Sequence, residues 1–197
     1  MLGNVLGTAA PAAEPTLDLT LGAPETVEAG DEQIQIGGPF VTAGDGATAL
    51  GIGSDFGPAI PASPFFGPTG TIAFTLSYEE PEPDNRLVNR HVVTVRMEGR
   101  GFFGFYFIQQ SRHLEMSYKQ LPEAIRVVSP DRLEPGRAYR VAATWDGRVV
   151  CFFLDGVLIG EMAQGFPADF PPYSRLNLGP YQDGWITARP WGPLQLS

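Results

Sequence analysis

The sequence contains little cysteine and histidine, which limits the chemistry that it can perform. Its 197 residues include a single cysteine, Cys151, so no disulfide can form within the chain. Cys151 lies in the apolar run 149–154, a setting that favours a buried small hydrophobic side chain over a nucleophile. His91 and His113 are the only histidines, and neither occurs in a recognisable nucleophile motif. Cysteine catalysis is therefore not expected.

Basic residues are scarce as well. Lysine and arginine number 13 against 22 acidic residues, which gives a net charge of −9, and Lys119 is the only lysine. Binding to a phosphate backbone depends on clustered positive charge. A nucleic-acid partner is therefore not expected.

Long apolar runs are also missing. No stretch approaches the roughly 18 consecutive apolar residues of a membrane span. The first residues contain neither the basic start nor the apolar run of a signal peptide. These absences predict a soluble chain, in which residues 1–14 form a flexible leader and residues 15–197 form one domain.

Turn-forming residues, by contrast, are abundant. The 24 glycines and 19 prolines separate short runs that are rich in Val, Ile, Phe and Thr, as expected of strands. The predicted strands are 16–21, 33–37, 47–52, 71–78, 91–97, 102–109, 112–118, 125–128, 139–145, 149–154, 157–162, 175–178 and 185–189. Only 131–137 is predicted to form a short helical or 3₁₀ turn. This pattern predicts an all-β fold, a two-sheet antiparallel jelly-roll β-sandwich.

Two hairpins can be predicted from their turn residues. Asp146-Gly147 and Asp155-Gly156 each join two apolar runs, and both residue types tolerate the positive φ of the mirror-image turns that match strand twist. Three consecutive antiparallel strands are expected as a result. Trp145, just before the first turn, is predicted to be a core residue.

The hairpin region resembles a known family. Residues 133–147, LEPGRAYRVAATWDG, and 151–160, CFFLDGVLIG, are similar to the central hairpins of bacterial laminin G-like domains in the concanavalin A-like lectin/glucanase superfamily. Further segments resemble that family's first and last strands: 16–21, 47–52, 70–76, 176–179 and 185–189. The closing strand has Thr187 and Ala188 where the family usually carries acidic residues. The resemblance implies the jelly-roll fold for about residues 15–197, but no single function, because the superfamily includes lectins, adhesion modules, pentraxin-like proteins, glycosidases and polysaccharide lyases.

Catalytic and metal sites find little support in the residues. The superfamily's glycosidases resemble one another in a Glu-x-Asp-x-x-Glu or Glu-x-Asp-x-Glu strand, and neither pattern occurs here. The acidic stretch 79–85 is broken by prolines and is predicted to be a solvated loop, with calcium binding as an alternative. A polysaccharide lyase would pair a basic His or Tyr with a cation, which His91 with Arg90, or His113 with Arg112, satisfies by composition only. No catalytic residue and no required cofactor are predicted.

Aromatic and planar polar residues cluster in the last 25 residues. Sugar rings stack on aromatic side chains while amides, guanidinium groups and carboxylates hold the hydroxyl groups. The predicted ligand patch consists of Tyr173, Arg175, Tyr181, Asp183, Trp185 and Trp191. The alternative is that Trp185 and Trp191 are core residues. The run 102–107 carries aromatics on both faces, which indicates either a strand covered on both sides or a face that awaits a partner.

These observations favour a non-catalytic carbohydrate-binding or adhesion module. The expected partners are a glycan or polysaccharide and a neighbouring domain of a larger parent protein. The resemblance implies a bacterial protein that is secreted, periplasmic or located at the cell surface. Two alternatives stay open: a structural module that packs between domains without a ligand, and a polysaccharide lyase or hydrolase with an unfamiliar site.

Overall fold

Short strands separated by turns make up the architecture. A computed structural model describes residues 25–29, 32–36, 40–42, 48–52, 59–62, 65–78, 89–97, 101–108, 110–120, 123–163, 174–178 and 194–196. The strands are β1 (Glu25–Ala29), β2 (Glu32–Ile36), β3 (Phe40–Thr42), β4 (Thr48–Ile52), β5 (Ala59–Pro61), β6 (Gly70–Tyr78), β7 (Asn89–Met97), β8 (Gly101–Ile108), β9 (His113–Gln120), β10 (Glu123–Val128), β11 (Tyr139–Trp145), β12 (Val150–Leu154), β13 (Val157–Met162), β14 (Arg175–Leu178) and β15 (Leu194–Leu196). The described residues contain no helix.

Two large sheets and one small one contain these strands. The six-stranded sheet has the order β10-β9-β8-β7-β14-β5, and the seven-stranded sheet has the order β13-β12-β11-β6-β15-β4-β3. β1 and β2 form a separate two-stranded sheet. Every pairing is antiparallel, and β14 and β15 each insert between strands from much earlier in the chain. This topology confirms the predicted jelly-roll β-sandwich.

Alternating side chains from both large sheets form the core. Phe105 of the six-stranded sheet is fully buried and contacts two rings of the other sheet, Phe74 at 5.1 Å and Phe152 at 5.7 Å between centroids. Phe103 and Phe107 flank it on the same side of β8, at 1% and 2% exposure. Such edge-to-face pairs stabilise a sandwich beyond the area that they bury. Phenylalanines therefore form the face of β8 that points toward the core.

The predicted core position of Trp145 is confirmed. Its side chain is 5% exposed and stacks on Phe66 with 5.5 Å between centroids and 1° between planes. Its indole Nε1 donates a hydrogen bond to the carbonyl oxygen of Gly67 at 2.8 Å. Gly70, its cross-strand neighbour, leaves room for the ring, because a Cβ there would lie 2.5 Å from Cζ2 of Trp145.

The two predicted hairpins form, but their turns differ. Asp155 and Gly156 both have positive φ, 51° and 80°, as the mirror-image turn requires. At the first hairpin only Gly147 has positive φ, and the strands are joined by residues 146–149. The backbone N–H groups of Arg148 and Val149 donate to Oδ1 of Asp146, both at 3.0 Å, and lower the pKa of that carboxyl. The prediction of a two-residue turn there is wrong, because the Asp146 side chain organises a wider loop.

Several other predictions can be compared with the strands. The predicted bounds of β11, β13 and β14 match those observed, and most of the others differ by one to three residues. The sequence pattern does not predict strands β1, β3, β5 and β15. Segment 131–137 contains a turn in which Arg137 donates its N–H to the carbonyl oxygen of Glu134 at 3.4 Å. It is not the predicted helical or 3₁₀ turn, because Gly136 has a positive φ of 74°. The predicted strands 16–21 and 185–189 lie outside the described residues, as does the leader 1–14.

Candidate functional site

The outer face of the six-stranded sheet is rich in polar side chains. Successive residues of a strand point to opposite faces, so the residues between the core positions line this outer face. We call this surface the polar face. Its described members include His91, Thr94, Arg96, Phe102, Gly104, Tyr106, Glu115, Ser117, Lys119, Arg126, Arg175 and Asn177. These members include four cations and one acid, although the chain as a whole has a net charge of −9.

One row across the polar face is accessible. Lys119 lies opposite Phe102, Phe102 opposite Arg96, and Arg96 opposite Arg175. The four residues come from β9, β8, β7 and β14, and all four are half-buried. With neighbouring strands about 4.8 Å apart, this cationic row extends about 14 Å. It presents an aromatic ring between positively charged groups.

A second row lies beside the cationic row on the same face, and its residues are buried. Ser117, Gly104, Thr94 and Asn177 occupy successive strands in register, and all are buried. Nδ2 of Asn177 donates to the carbonyl oxygens of Thr94 and Arg175, both at 3.4 Å. A Cβ at Gly104 would lie 2.7 Å from the carbonyl oxygen of Val93, so the backbone accepts only glycine there without shifting.

A third row joins Glu115, Tyr106 and His91. They are directly opposite one another on β9, β8 and β7 and are 5%, 6% and 8% exposed. The His91 and Tyr106 rings meet edge to face at 4.7 Å, and the Phe102 ring lies 5.8 Å from that of Tyr106. The two β8 rings therefore lean toward each other over Gly104. Packed aromatic rings therefore form this part of the polar face.

A β-bulge in β7 sets the position of His91. The register shifts between His91 and Val93, so Val92 and Val93 both lie in the core. His91 and Thr94 consequently share the polar face although three positions separate them. His91 Nδ1 and Thr94 Oγ1 form a hydrogen bond at 3.3 Å.

Glu115 is a buried carboxylate with a charged partner. Arg126 on the adjacent strand places its Nε 3.6 Å from Oε1 of Glu115, while the arginine side chain itself is 59% exposed. Burial raises the pKa of Glu115, and the Arg126 charge partly opposes that shift. Glu115 therefore retains a proton to higher pH than an exposed glutamate does.

The second histidine has a structural role. His113 Nδ1 lies 2.6 Å from the carbonyl oxygen of Ser129, which can only accept, so this nitrogen carries a proton. The Ser129 hydroxyl donates to the carbonyl oxygen of Asp131 at 2.9 Å and accepts from the N–H of Leu114 at 3.1 Å. These bonds attach the end of β10 to the start of β9. The prediction that His113 is an ordinary strand histidine agrees with this geometry.

Cys151 lies outside the core. It is half-buried and faces outward from the seven-stranded sheet, opposite Thr144 and Glu161. The prediction of a buried side chain is therefore wrong, because the alternation of β12 sends Val150 and Phe152 inward instead. Burial, and next the nearby Glu161 charge, raise the pKa of Cys151, which disfavours the nucleophilic thiolate.

Of the predicted ligand residues, Arg175 is the one that lies among the described residues. It lies on the polar face, beside Arg96. The other members of the predicted patch lie outside the described residues: Tyr173, Tyr181, Asp183, Trp185 and Trp191. The sequence does not single out Arg96, Phe102 and Lys119 as site residues, although polar residues alternating with apolar ones along β7 and β9 are a signal for a solvated face.

Metal and membrane features can be assessed for part of the chain. The acidic stretch 79–85, the predicted alternative for calcium, lies outside the described residues. Among those that are described, no three His, Cys, Asp or Glu side chains are grouped closely enough to hold a metal ion. Within the same ranges, no helix is long and apolar enough to cross a membrane.

Comparison with known proteins identifies similar structures but no similar sequences. No protein-family profile matches the sequence. No curated protein matches it either. The binding domain of Paraclostridial Mosquitocidal Protein 1 is 12% identical with a TM-score of 0.58, over 89% of this chain and 47% of that one.

Two further similar structures are bacterial. Domain 4 of an extracellular GH43 arabinanase from Geobacillus stearothermophilus, in complex with arabinotriose, is 9% identical with a TM-score of 0.53, over 89% of this chain and 73% of that one. The CBM40 domain of Ruminococcus gnavus IT-sialidase, bound to alpha2,6-sialyllactose, is 17% identical with a TM-score of 0.50, over 74% of this chain and 85% of that one. Identities this low concern the fold alone. Together with the sheet topology, they establish that the chain has a two-sheet antiparallel jelly-roll β-sandwich fold.

Proposed function

We propose that this protein is a non-catalytic carbohydrate-binding or adhesion module that binds a glycan on the polar face. The observation that carries this proposal is the cationic row, Lys119, Phe102, Arg96 and Arg175, which is half-exposed beside two closed rows of the same face. A sugar ring stacks its C–H face on an aromatic side chain, and planar donors hold its oxygens. Phe102 supplies the ring and the arginines supply the donors.

Contacts around the cationic row hold the neighbouring side chains in place. Phe102 leans on Tyr106, and Asn177 bonds to the carbonyl oxygens of Thr94 and Arg175. Side chains held on strands lose little conformational entropy when a ligand binds. An open surface of this size is expected to bind an oligosaccharide with a Kd of about 0.01 to 1 mM, or about 4 to 7 kcal/mol. Several modules in one parent protein would then add avidity.

The structural comparisons support the same class of function. Two proteins with this fold were solved with saccharides bound, arabinotriose in one and sialyllactose in the other. The expected setting is a larger protein that is secreted, periplasmic or displayed at the cell surface, with a catalytic or adhesive neighbour. The predicted residues Tyr173, Tyr181, Asp183, Trp185 and Trp191 are proposed to extend the site from the Arg175 end.

A glycan array followed by affinity electrophoresis tests the proposal. The Phe102→Ala variant is expected to lose retention on the glycan that the wild type binds, because the stacking platform is gone. Phe153→Ala is the matched control, since Phe153 is also half-buried and outward-facing but belongs to the seven-stranded sheet. Trp191→Ala tests the extension separately, with the unfolding midpoint measured for every variant.

Two outcomes would contradict the proposal. Equal losses in Phe102→Ala and Phe153→Ala would mean that retention does not involve the polar face. Absence of binding across the array would favour the structural packing module, for which the exposed side chains of Val157 and Leu158, 62% and 47% accessible, offer an apolar contact.

A polysaccharide lyase is the second candidate, and one contact favours it. His91 and Tyr106 meet at 4.7 Å on the same face as Arg96, which brings together a base, a phenol and a cation able to neutralise a uronate. Their burial argues for a structural role, because a substrate must reach the base directly. Incubation with uronate polysaccharides, with ultraviolet detection of the unsaturated product, decides this point. Product that disappears in His91→Gln would establish the lyase in place of the binding module.

A further inference from the structure

We infer that Lys119 is a specificity-determining residue of the polar face, because it leaves one side of the Phe102 ring open to a sugar. The inference deepens the proposed function and rests on it. Lys119 on β9 is directly opposite Phe102 on β8, so their Cβ atoms lie about 4.5 to 5.5 Å apart on the same face. Both side chains are half-buried. The side chain at position 119 therefore controls what reaches the ring from that side.

Lysine is the exception among the basic residues of this chain. Lys119 is the only lysine, and the other 12 of the 13 basic residues are arginines. Arg96 is directly opposite Phe102 on the other side, in the same row. An arginine at position 119 would therefore place a guanidinium group on each side of the ring. The lysine makes the row asymmetric, with a planar cation on one side of Phe102 and an ammonium group on the other.

The two kinds of cation behave differently beside an aromatic ring. A guanidinium group is planar and weakly hydrated, so it stacks on ring faces, whereas an ammonium group is compact and strongly hydrated. An arginine of this chain shows such stacking at the surface. The guanidinium carbon of Arg137 lies 4.5 Å from the centroid of the Tyr139 ring, and the Arg137 side chain is still 51% exposed. An arginine opposite Phe102 is expected to cover that ring in the same way.

The second neighbour of Lys119 gives its side chain room to extend away from Phe102. Ala124 on the edge strand β10 is directly opposite Lys119 and is exposed. A methyl group at that position leaves space for the lysine stem, with its ammonium group in water. Along β8, the Phe102 ring packs edge to face on Tyr106 at 5.8 Å. The ring is therefore supported from its own strand and left open toward β9.

A substitution that keeps the charge is the test. The probe is the oligosaccharide that the wild type retains most strongly on an array of neutral and acidic oligosaccharides, titrated and followed by NMR. Lys119→Arg should bind it about three- to sixfold more weakly than the wild type. The reason is that stacking as strong as an exposed cation–π contact leaves the ring free only about a sixth to a third of the time. Lys119→Gln should lose less, because a solvated ammonium group contributes little.

Arg140→Lys is the matched control. Arg140 is exposed and faces outward on β11 of the other sheet, so this variant exchanges the same two cations on the opposite surface. Its Kd should equal that of the wild type, with circular dichroism confirming that every variant folds. An equal loss in this control would show that the exchange acts without the Phe102 ring, which overturns the inference.

A measurement without ligand checks the cause of the loss. A guanidinium group stacked on Phe102 lies in the shielding region of the ring, so the δ protons of the introduced arginine should shift upfield in the NMR spectrum of Lys119→Arg. The shift should disappear when Phe102→Ala is added to the same protein. Weaker binding without this upfield shift would overturn the inference, because the ring would then be uncovered.

The failures of the two proposals are distinguishable. Lys119→Arg binding as tightly as the wild type, or more tightly, would overturn the role of Lys119 while the binding module stands. A greater loss in Lys119→Gln than in Lys119→Arg would mean that the ligand requires the positive charge itself, which also overturns that role. Absence of binding by the wild type across the array would overturn the proposed function, and this inference with it.

Discussion

The packing of Trp145 against Gly70 makes a quantitative test of the core. The indole is confined on three sides: Phe66 stacks on it, Phe103 lies 6.3 Å away, and the Gly67 carbonyl oxygen accepts its N–H. A Cβ at Gly70 would lie 2.5 Å from Cζ2 and 2.9 Å from Cε2 of that ring. These contacts leave the ring little room to move away, so Gly70→Ala must distort the core.

The expected costs follow from this geometry. Trp145→Ala should lower the free energy of unfolding by about 3 to 5 kcal/mol, the range for truncating a large buried aromatic. Gly70→Ala should cost about 1 to 3 kcal/mol by overpacking. In the Trp145→Ala background the methyl group added by Gly70→Ala meets empty space, so the second substitution should cost almost nothing. The two effects are therefore strongly non-additive.

Urea unfolding followed by circular dichroism measures all four proteins of this cycle. Far-ultraviolet detection is required, because Trp145 itself contributes to the fluorescence. Additive costs would refute the steric coupling and the placement of the ring over Gly70. A cost below about 1 kcal/mol for Trp145→Ala would refute its core position and the strand alternation that predicts it.

Two further predictions concern charged side chains. Burial holds the pKa of Glu115 above its usual value, so the folded state binds this proton more tightly than the unfolded chain does. Stability is therefore lost as pH rises from the usual pKa through the raised one, because the buried carboxylate becomes ionised. Glu115→Gln should accordingly gain stability relative to wild type as pH rises from about 4 to about 8, and a flat difference would show that Arg126 compensates the burial fully. Asp155 accepts from the N–H of Arg140 at 2.9 Å and from Nη2 of Arg137 at 2.7 Å, so Asp155→Ala should cost about 1 to 2 kcal/mol in chemical denaturation. Asp155→Asn, which tolerates positive φ and keeps an acceptor, should cost about half as much or less, and equal costs would contradict the role of the backbone bond.

Local sequence patterns determined much of the fold. Alternation in β6 and β11 defined strands, and Asp155-Gly156 defined a turn, because side-chain direction and backbone φ depend on neighbouring residues only. These signals were sufficient for the all-β class and for the sequence of three hairpin strands. The absence of cysteine pairs likewise followed from composition alone.

Such local patterns do not predict which strands from distant parts of the chain become neighbours. β14 lies between β7 and β5, and β15 lies between β6 and β4, so each pairs with strands that are distant in sequence. Short strands such as β5 carry too few residues for a period to be visible. Their pairing is decided by the tertiary hydrogen bonds that they complete.

The candidate site also combines residues that the local sequence indicates with neighbours that only the tertiary structure brings together. The sequence singled out Arg175 from a local cluster, but its partner Arg96 is 79 positions away and becomes adjacent only when β14 pairs with β7. A bulge at Val92, which no composition rule specifies, places His91 beside Tyr106. Residue identities and their alternation were set locally, whereas the cationic row exists only because long-range register brings four strands into line.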